Sequence, residues 1–176
     1  DEQFVAHTHV LADNALESLH NIGATTSKWF LLDLEEIRKA AERRNILFIV
    51  ANQQANSKSW FGIPAAQRID QKDVRYSDEV AGIERILRRG EPISGYEFDF
   101  LIHARLMRDL RNWAEKNELP FVDIIGLLDQ ERQHLVSWVH LDAYANGSVA
   151  DALADDGDAR IVSLSSPMSI RPPGRN

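Results

Sequence analysis

Residues 102–125, which read IHARLMRDLRNWAEKNELPFVDII, predict a long helix followed directly by a buried strand. Apolar side chains recur at helical spacing from Ile102 to Trp113, which indicates an amphipathic helix. Pro120 ends this helix because it has no N–H to donate to the helical hydrogen bonds. Residues 121–125, which are apolar except for Asp123, predict a buried strand of a parallel sheet.

The same order of helix and strand is predicted upstream. A first helix ends near Gly23, a polar connection covers residues 25–28, and Phe30 and Ile37 mark a second helix. The apolar run at residues 46–50 is the first predicted strand. A final helix runs from about Asp142, a fair N-cap, to Ala154. This alternation predicts an α/β domain with a parallel sheet in three layers (α/β/α), flavodoxin-like in its layering.

Two strands make a small sheet for this number of helices, so we expect further strands before Asp1. Residues 1–156 are therefore interpreted as the C-terminal portion of an N-terminally incomplete domain. Residues 53–96 are polar and predict a long connection with one short helix at about 78–89. Residues 157–176 are small, polar and rich in Pro and Arg, and predict a disordered tail.

Composition excludes several classes of function. The 176 residues carry a net charge of -7, so we expect no nucleic-acid partner. The chain has no cysteine, which excludes disulfides and thiolate catalysis. No run reaches the roughly 18 apolar residues of a membrane span. No glycine-rich turn follows either predicted strand, which disfavours nucleotide binding. Compartment and oligomeric state stay open.

His140 is the candidate with the clearest chemical role. It lies in Ser137-Trp138-Val139-His140-Leu141-Asp142, between the second predicted strand and the last helix. Active residues of open parallel sheets lie at the carboxyl ends of the strands. A histidine on such a loop can accept a proton from a serine and return it to the leaving group. A helix-capping or surface histidine is the alternative interpretation.

Residues 113–124 (WAEKNELPFVDI), 139–146 (VHLDAYAN) and 149–153 (VADAL) resemble the end of SGNH/GDSL hydrolases. The resemblance covers roughly residues 30–155 as a pattern of order and spacing. It implies a hydrolase that acts on carboxylic esters by acyl transfer to a serine, with His140 as base. It also implies a small-molecule or carbohydrate ester as substrate and requires neither a metal nor an organic cofactor.

The chain departs from the family pattern in two ways. Ser137 stands where the Asp-x-x-His block has its aspartate, so Asp129 and Asp142 are alternative partners for His140. The Gly-Asp-Ser nucleophile block and the Gly-x-Asn-Asp block are missing, although Asp1 matches the last residue of the latter. Ser57 and Ser59 are interpreted as residues of a solvated loop. We therefore expect little or no activity from this chain alone.

Ser137 also keeps a different class of function open. Without a negative charge beside it, His140 is also compatible with the main alternative, a non-catalytic α/β module that binds a partner or a carbohydrate. An exposed His140 beside a cleft at the strand ends favours the esterase. A His140 sealed under Trp138 favours the binding module.

Overall fold

The structure, a computed structural model, describes the backbone of residues 9–10, 12–57 and 74–165 and the side chains of residues 14–57 and 74–155. Along the chain the elements are β1 (His9–Val10), α1 (Ala12–Arg43), β2 (Val50–Ala51), α2 (Tyr76–Arg88), β3 (Ile93–Ser94), α3 (Gly95–Lys116), β4 (Phe121–Val122), α4 (Ile124–Leu127), a 3-10 turn (Arg132–His134) and α5 (Ala143–Ser165). Asp1 and Ser59 lie outside the described residues.

The described residues are mostly helical and contain a small parallel sheet. Strands β2 and β4 pair in parallel, with Val50 opposite Phe121 and Ala51 opposite Val122. Strands β1 and β3 form a separate antiparallel pair. The parallel strands are shorter than predicted. Residues 46–49 remain outside the ladder, and Ile124 already starts α4. The part of the chain that the structure describes thus combines many helices with one two-stranded parallel sheet and one two-stranded antiparallel sheet.

The same kind of turn connects α1 to β2 and α3 to β4. Asn45 and Glu118 each have φ of 53°, the left-handed conformation that commonly ends a helix. The next N–H then returns to the helix: Ile46 donates to Ala41 O at 2.9 Å and Leu119 donates to Ala114 O at 3.0 Å. The helix–turn–strand unit therefore occurs twice, and its two strands are the parallel pair.

Helix α1 is continuous, so the predicted break near Gly23 is wrong. Gly23 lies on the face that packs against α3, where an added Cβ would be 2.7 Å from Cδ of Arg105. Ser27, four residues after Gly23, and Ala15, eight residues before it, are buried on the same face of the helix. The polar side chains of Thr25, Thr26 and Lys28 are exposed within the helix. Gly23 therefore permits close helix packing and does not mark a helix end.

Helix α3 is the central helix of the structure. Ser94 and Glu97 form a capping box at its start, in which each side chain binds the other residue's backbone N–H. Its first half packs Phe100 and Leu101 against α1 and α2. Its second half packs Met107, Leu110 and Ala114 against β2 and the middle of α1. A third cluster joins β4, α4 and α5.

Helix α5 extends further than the sequence predicts. It continues to Ser165, so residues 157–165 are helical where a disordered tail is predicted. Residues 166–176 lie outside the described part of the chain. None of the helices in the described ranges combines the length and apolarity that crossing a membrane requires.

Candidate functional site

Polar side chains stand at the carboxyl ends of the two parallel strands. Asn52 directly follows β2, and Asp123 directly follows β4. Asn52 Nδ2 donates to Asp123 Oδ1 at 2.6 Å, and Asn52 Oδ1 accepts from Ile125 N–H at 2.9 Å. Because Asn52 is 5% exposed, these bonds hold the two strand ends in a fixed arrangement.

Asp123 is held as a carboxylate at this edge. Burial by itself raises the pKa of Asp123, but hydrogen bonds from Asn52, Gly126 N–H and Arg111 outweigh this effect, and the pKa lies below its usual value. Arg111 of α3 binds the outer oxygen of the carboxylate. Asn52, Arg111 and Asp123 were not predicted as site residues. Their positions directly after the strands or on the central helix are the signal that the sequence offered.

The loop that carries Ser137 and His140 is a narrow hairpin. Leu135 and Leu141 form an isolated antiparallel bridge. Val136 N–H donates to His140 O at 2.8 Å, and Asp142 N–H donates to His134 O at 3.0 Å. The hairpin therefore projects residues 137–140 from a closed base, and α5 begins immediately after it.

Ser137 and His140 are in contact at the tip of this hairpin. Ser137 Oγ lies 2.6 Å from His140 Nδ1. Ser137 Oγ also accepts from His140 N–H at 3.1 Å and from Val139 N–H at 3.4 Å. The imidazole of His140 is exposed, and its Nε2 has no hydrogen bond among the described residues. The contact orients the ring and leaves Nε2 available to a ligand.

The two alternative acids are engaged elsewhere. Asp142 Oδ2 lies 2.7 Å from His134 Nδ1, and its other oxygen accepts from Ala145 N–H as the N-cap of α5. Burial raises the pKa of Asp142, but the hydrogen bonds from His134 and Ala145 have the larger opposite effect. The pKa of Asp142 therefore lies below its usual value. Asp129 accepts from Tyr76 N–H at 2.7 Å. Ser137 is therefore the one side chain among the described residues that binds the His140 ring.

A buried network ties the hairpin to the segment after β2. Asn56 N–H donates to Trp138 O at 2.9 Å, and Asn56 Nδ2 donates to Ser137 O at 3.2 Å. Arg132, 1% exposed, binds Ala55 O at 2.7 Å and also the Glu79 carboxylate. These contacts fix the backbone on which His140 stands.

Ser57 belongs to the same network. Its hydroxyl donates to Glu79, and the side chain is buried. Ser57 is therefore a structural residue in this arrangement. The sequence interpretation of Ser57 as a solvated loop residue is wrong, because Glu79 of α2 covers it.

A cavity of about 360 Å³ lies between the strand ends and the hairpin. Residues 51–54 form one wall, Val139, His140 and Leu141 form the second, and Ile124, Asn146 and Val149 complete it. His140 is thus beside an open cleft at the carboxyl ends of the parallel strands. Within the described side chains no group of three or more metal-ligating residues occurs.

His103 forms a second, buried histidine site on α3. Tyr76 Oη lies 2.9 Å from His103 Nδ1, and the ring of Trp138 is 6.5 Å away between centroids. Burial lowers the pKa of His103 to about 4, so the ring is neutral at neutral pH. Sequence spacing gave no reason to single out His103. Its neighbours come from α2 and from the hairpin.

Comparison with known proteins finds no matching family model, no matching curated protein and no matching solved structure.

Proposed function

We propose that this chain belongs to a hydrolase of carboxylic esters in which His140 is the general base, supported by Ser137. The observation that carries the proposal is the contact of 2.6 Å between Ser137 Oγ and His140 Nδ1, on an exposed hairpin beside the cavity. A base needs one ring nitrogen held and the other facing the substrate. The contact at Nδ1, and an Nε2 without a hydrogen bond among the described residues, support this role for His140.

Ser137 takes the place of the aspartate in the Asp-x-x-His block of SGNH/GDSL hydrolases. When Ser137 Oγ accepts the Nδ1 proton, the lone pair of Nε2 is free to take a proton from a nucleophile. A serine hydroxyl carries no charge, so it stabilises the resulting imidazolium less than a carboxylate does. The serine nucleophile of this proposal lies outside the described residues.

The fold of the proposal is the three-layer α/β/α arrangement of that family. The repeated helix–turn–strand units, with α1 leading to β2 and α3 leading to β4, match the order of its C-terminal half. Helix α5 matches the closing helix that follows the catalytic histidine. The two-stranded parallel sheet supports an α/β class and is consistent with part of a larger sheet.

Hydrolysis of phenyl acetate by the full gene product that contains these residues tests the proposal. In the His140→Ala variant we expect kcat/KM to fall roughly 100-fold or more, because the general base is removed. The control is His20→Ala, which removes an exposed histidine of α1. A folded wild-type protein without activity, or equal activity in both variants, would contradict the proposal.

One observation favours a second candidate, a non-catalytic module that binds a partner or a carbohydrate. Ser137 Oγ already accepts two backbone N–H groups, which leaves its own proton to be donated to His140 Nδ1. The proton of the neutral ring then sits on Nε2, which becomes a donor and cannot act as base. In that state His140 is suited to hydrogen-bond a ligand.

A further inference from the structure

The cavity beside His140 has an uncharged lining. Of the ten described residues that line it, His140 is the one with an ionisable side chain. A charged ligand would lose hydration there without gaining an opposite charge, which is unfavourable. The 176 residues carry a net charge of -7, which adds a general repulsion of anions. Both effects favour neutral ligands.

A neighbouring cavity shows the contrast. About 260 Å³ in volume, it is lined by Arg108, Arg111 and Asp123 and shares Asn52 with the cavity beside His140. A charged ligand could form ion pairs with these side chains in that cavity. His140 does not line that cavity. The charged groups therefore line the neighbouring cavity, whereas the proposed base lines the uncharged one.

Three polar groups remain available in the uncharged cavity. Gln53 is exposed, and its carboxamide makes no hydrogen bond among the described residues. Asn146 donates to Leu141 O at 3.1 Å, which leaves its Oδ1 free to accept. His140 Nε2 is the third. In Asn52 and Gln54, in contrast, both the nitrogen and the oxygen of the carboxamide are hydrogen-bonded within the protein. These two residues therefore line the cavity without offering it a free polar group.

The remaining lining is apolar and of modest size. Ile124, Val139, Leu141 and Val149 offer aliphatic surface next to these polar groups. A volume of about 360 Å³ lies at the small end of ligand cavities, which range over roughly 300–1,000 Å³. Carboxamides that both donate and accept suit hydroxyl groups, and the aliphatic surface suits a short acyl group.

We propose that the substrate is a neutral, hydroxyl-rich ester with a short acyl group, such as an O-acetylated neutral sugar, and that Gln53 and Asn146 bind its hydroxyls. This inference rests on the proposed ester hydrolysis for its chemistry. The selection of neutral over anionic ligands rests on the cavity alone. It would hold equally for a site that binds the sugar without cleaving it.

The test compares two acetyl esters with the full gene product: an O-acetylated methyl glucoside and the matching O-acetylated methyl glucuronide, which adds one carboxylate. We expect kcat/KM for the neutral ester to be at least about 10-fold higher, because the described lining of the cavity holds no lysine or arginine. In Gln53→Ala and Asn146→Ala we expect KM for the neutral ester to rise several-fold with little change in kcat. Gln130→Ala, an exposed glutamine outside the cavity, is the control.

Equal kcat/KM for the two esters, or an unchanged KM in both variants, would overturn the inference. Phenyl acetate separates this failure from that of ester hydrolysis, because it has no hydroxyls to be recognised. If phenyl acetate is not cleaved, titration with methyl glucoside followed by NMR decides the recognition step. Shifts of the side-chain amide signals of Gln53 and Asn146 support it, and unchanged signals refute it.

Discussion

At the scale of single residues, the character of the site depends on which proton lies between Ser137 and His140. The distance between Ser137 Oγ and His140 Nδ1 fits a hydrogen bond of either direction. One direction gives a base at Nε2, and the other gives a donor. An aspartate removes this choice, because a carboxylate accepts only.

Ser137→Asp therefore tests the role of this position. We expect the His140 ring to shift to the tautomer with the proton on Nδ1, and its imidazolium form to be stabilised by up to about 1 kcal/mol, because the ring is exposed. Esterase activity should rise about 10-fold or more if His140 is the base. Ring nitrogen NMR and kcat/KM on phenyl acetate measure the two effects. An unchanged tautomer ratio would show that residue 137 does not orient the ring, and Ser137→Ala provides the uncharged control.

At the scale of secondary-structure elements, the turns after α1 and α3 set the register of the parallel strands. Glu118 adopts a left-handed conformation, which costs a non-glycine residue roughly 1–2 kcal/mol. Glycine adopts it freely, although it loses more backbone entropy on folding. The turn is therefore a place where stability can be gained without touching the site.

We expect Glu118→Gly to raise the free energy of unfolding by roughly 0.5–1 kcal/mol, measured by urea denaturation. The matched control is Glu115→Gly, in the last turn of α3, where glycine should lower it by about 1 kcal/mol. A loss of stability in Glu118→Gly would mean that the glutamate side chain contributes more than its backbone strain costs.

The elements were predictable where local periodicity decides them. The pattern from Ile102 to Trp113 correctly predicted α3, and the short helix near residues 78–89 corresponds to α2. The predicted helix end at Gly23 was wrong because this glycine allows α1 to pack closely on α3. A local sequence pattern does not show such a contact. The strands were overestimated for a similar reason, since apolar runs do not show how many residues find a hydrogen-bonding neighbour.

The residues of the site also fall into two groups, those that the sequence could predict and those that it could not. Ser137 and His140 could be found because they are close in sequence and follow a predicted strand. Asn56 and Arg132 could not, since they act across 77 to 81 residues of sequence by binding backbone carbonyls. Such contacts depend on how whole elements meet. No residue-type pattern marks them in advance.

At the scale of the whole molecule, pH dependence of stability is expected from His103. Its folded pKa of about 4 lies below the reference value of 6.5. At pH values between these two, His103 is protonated in the unfolded chain and neutral in the folded protein. Stability therefore falls as pH drops from 6.5 towards 4. The loss amounts to about 3 kcal/mol at most. Asp123 and Asp142, with pKa values below 3.8, act only at lower pH.

Urea denaturation at pH 7, 5.5 and 4.5 measures this effect. In His103→Gln the slope between pH 6.5 and 4 should flatten, even if the variant is less stable at pH 7. The same slope in both proteins would show that another group titrates in this range. His20→Gln, an exposed histidine, serves as the control.

Arg132 has a consequence for how this chain tolerates change. Its guanidinium binds Ala55 O and, at 2.8 Å, Val74 O, so one buried cation holds the chain on both sides of residues 58–73. The same side chain therefore fixes the spacing between the backbone at Ala55 and the backbone at Val74. A substitution of Arg132 would thus release both backbone positions together, and with Ala55 it would loosen the neighbouring contacts of Asn56 with the hairpin that carries His140.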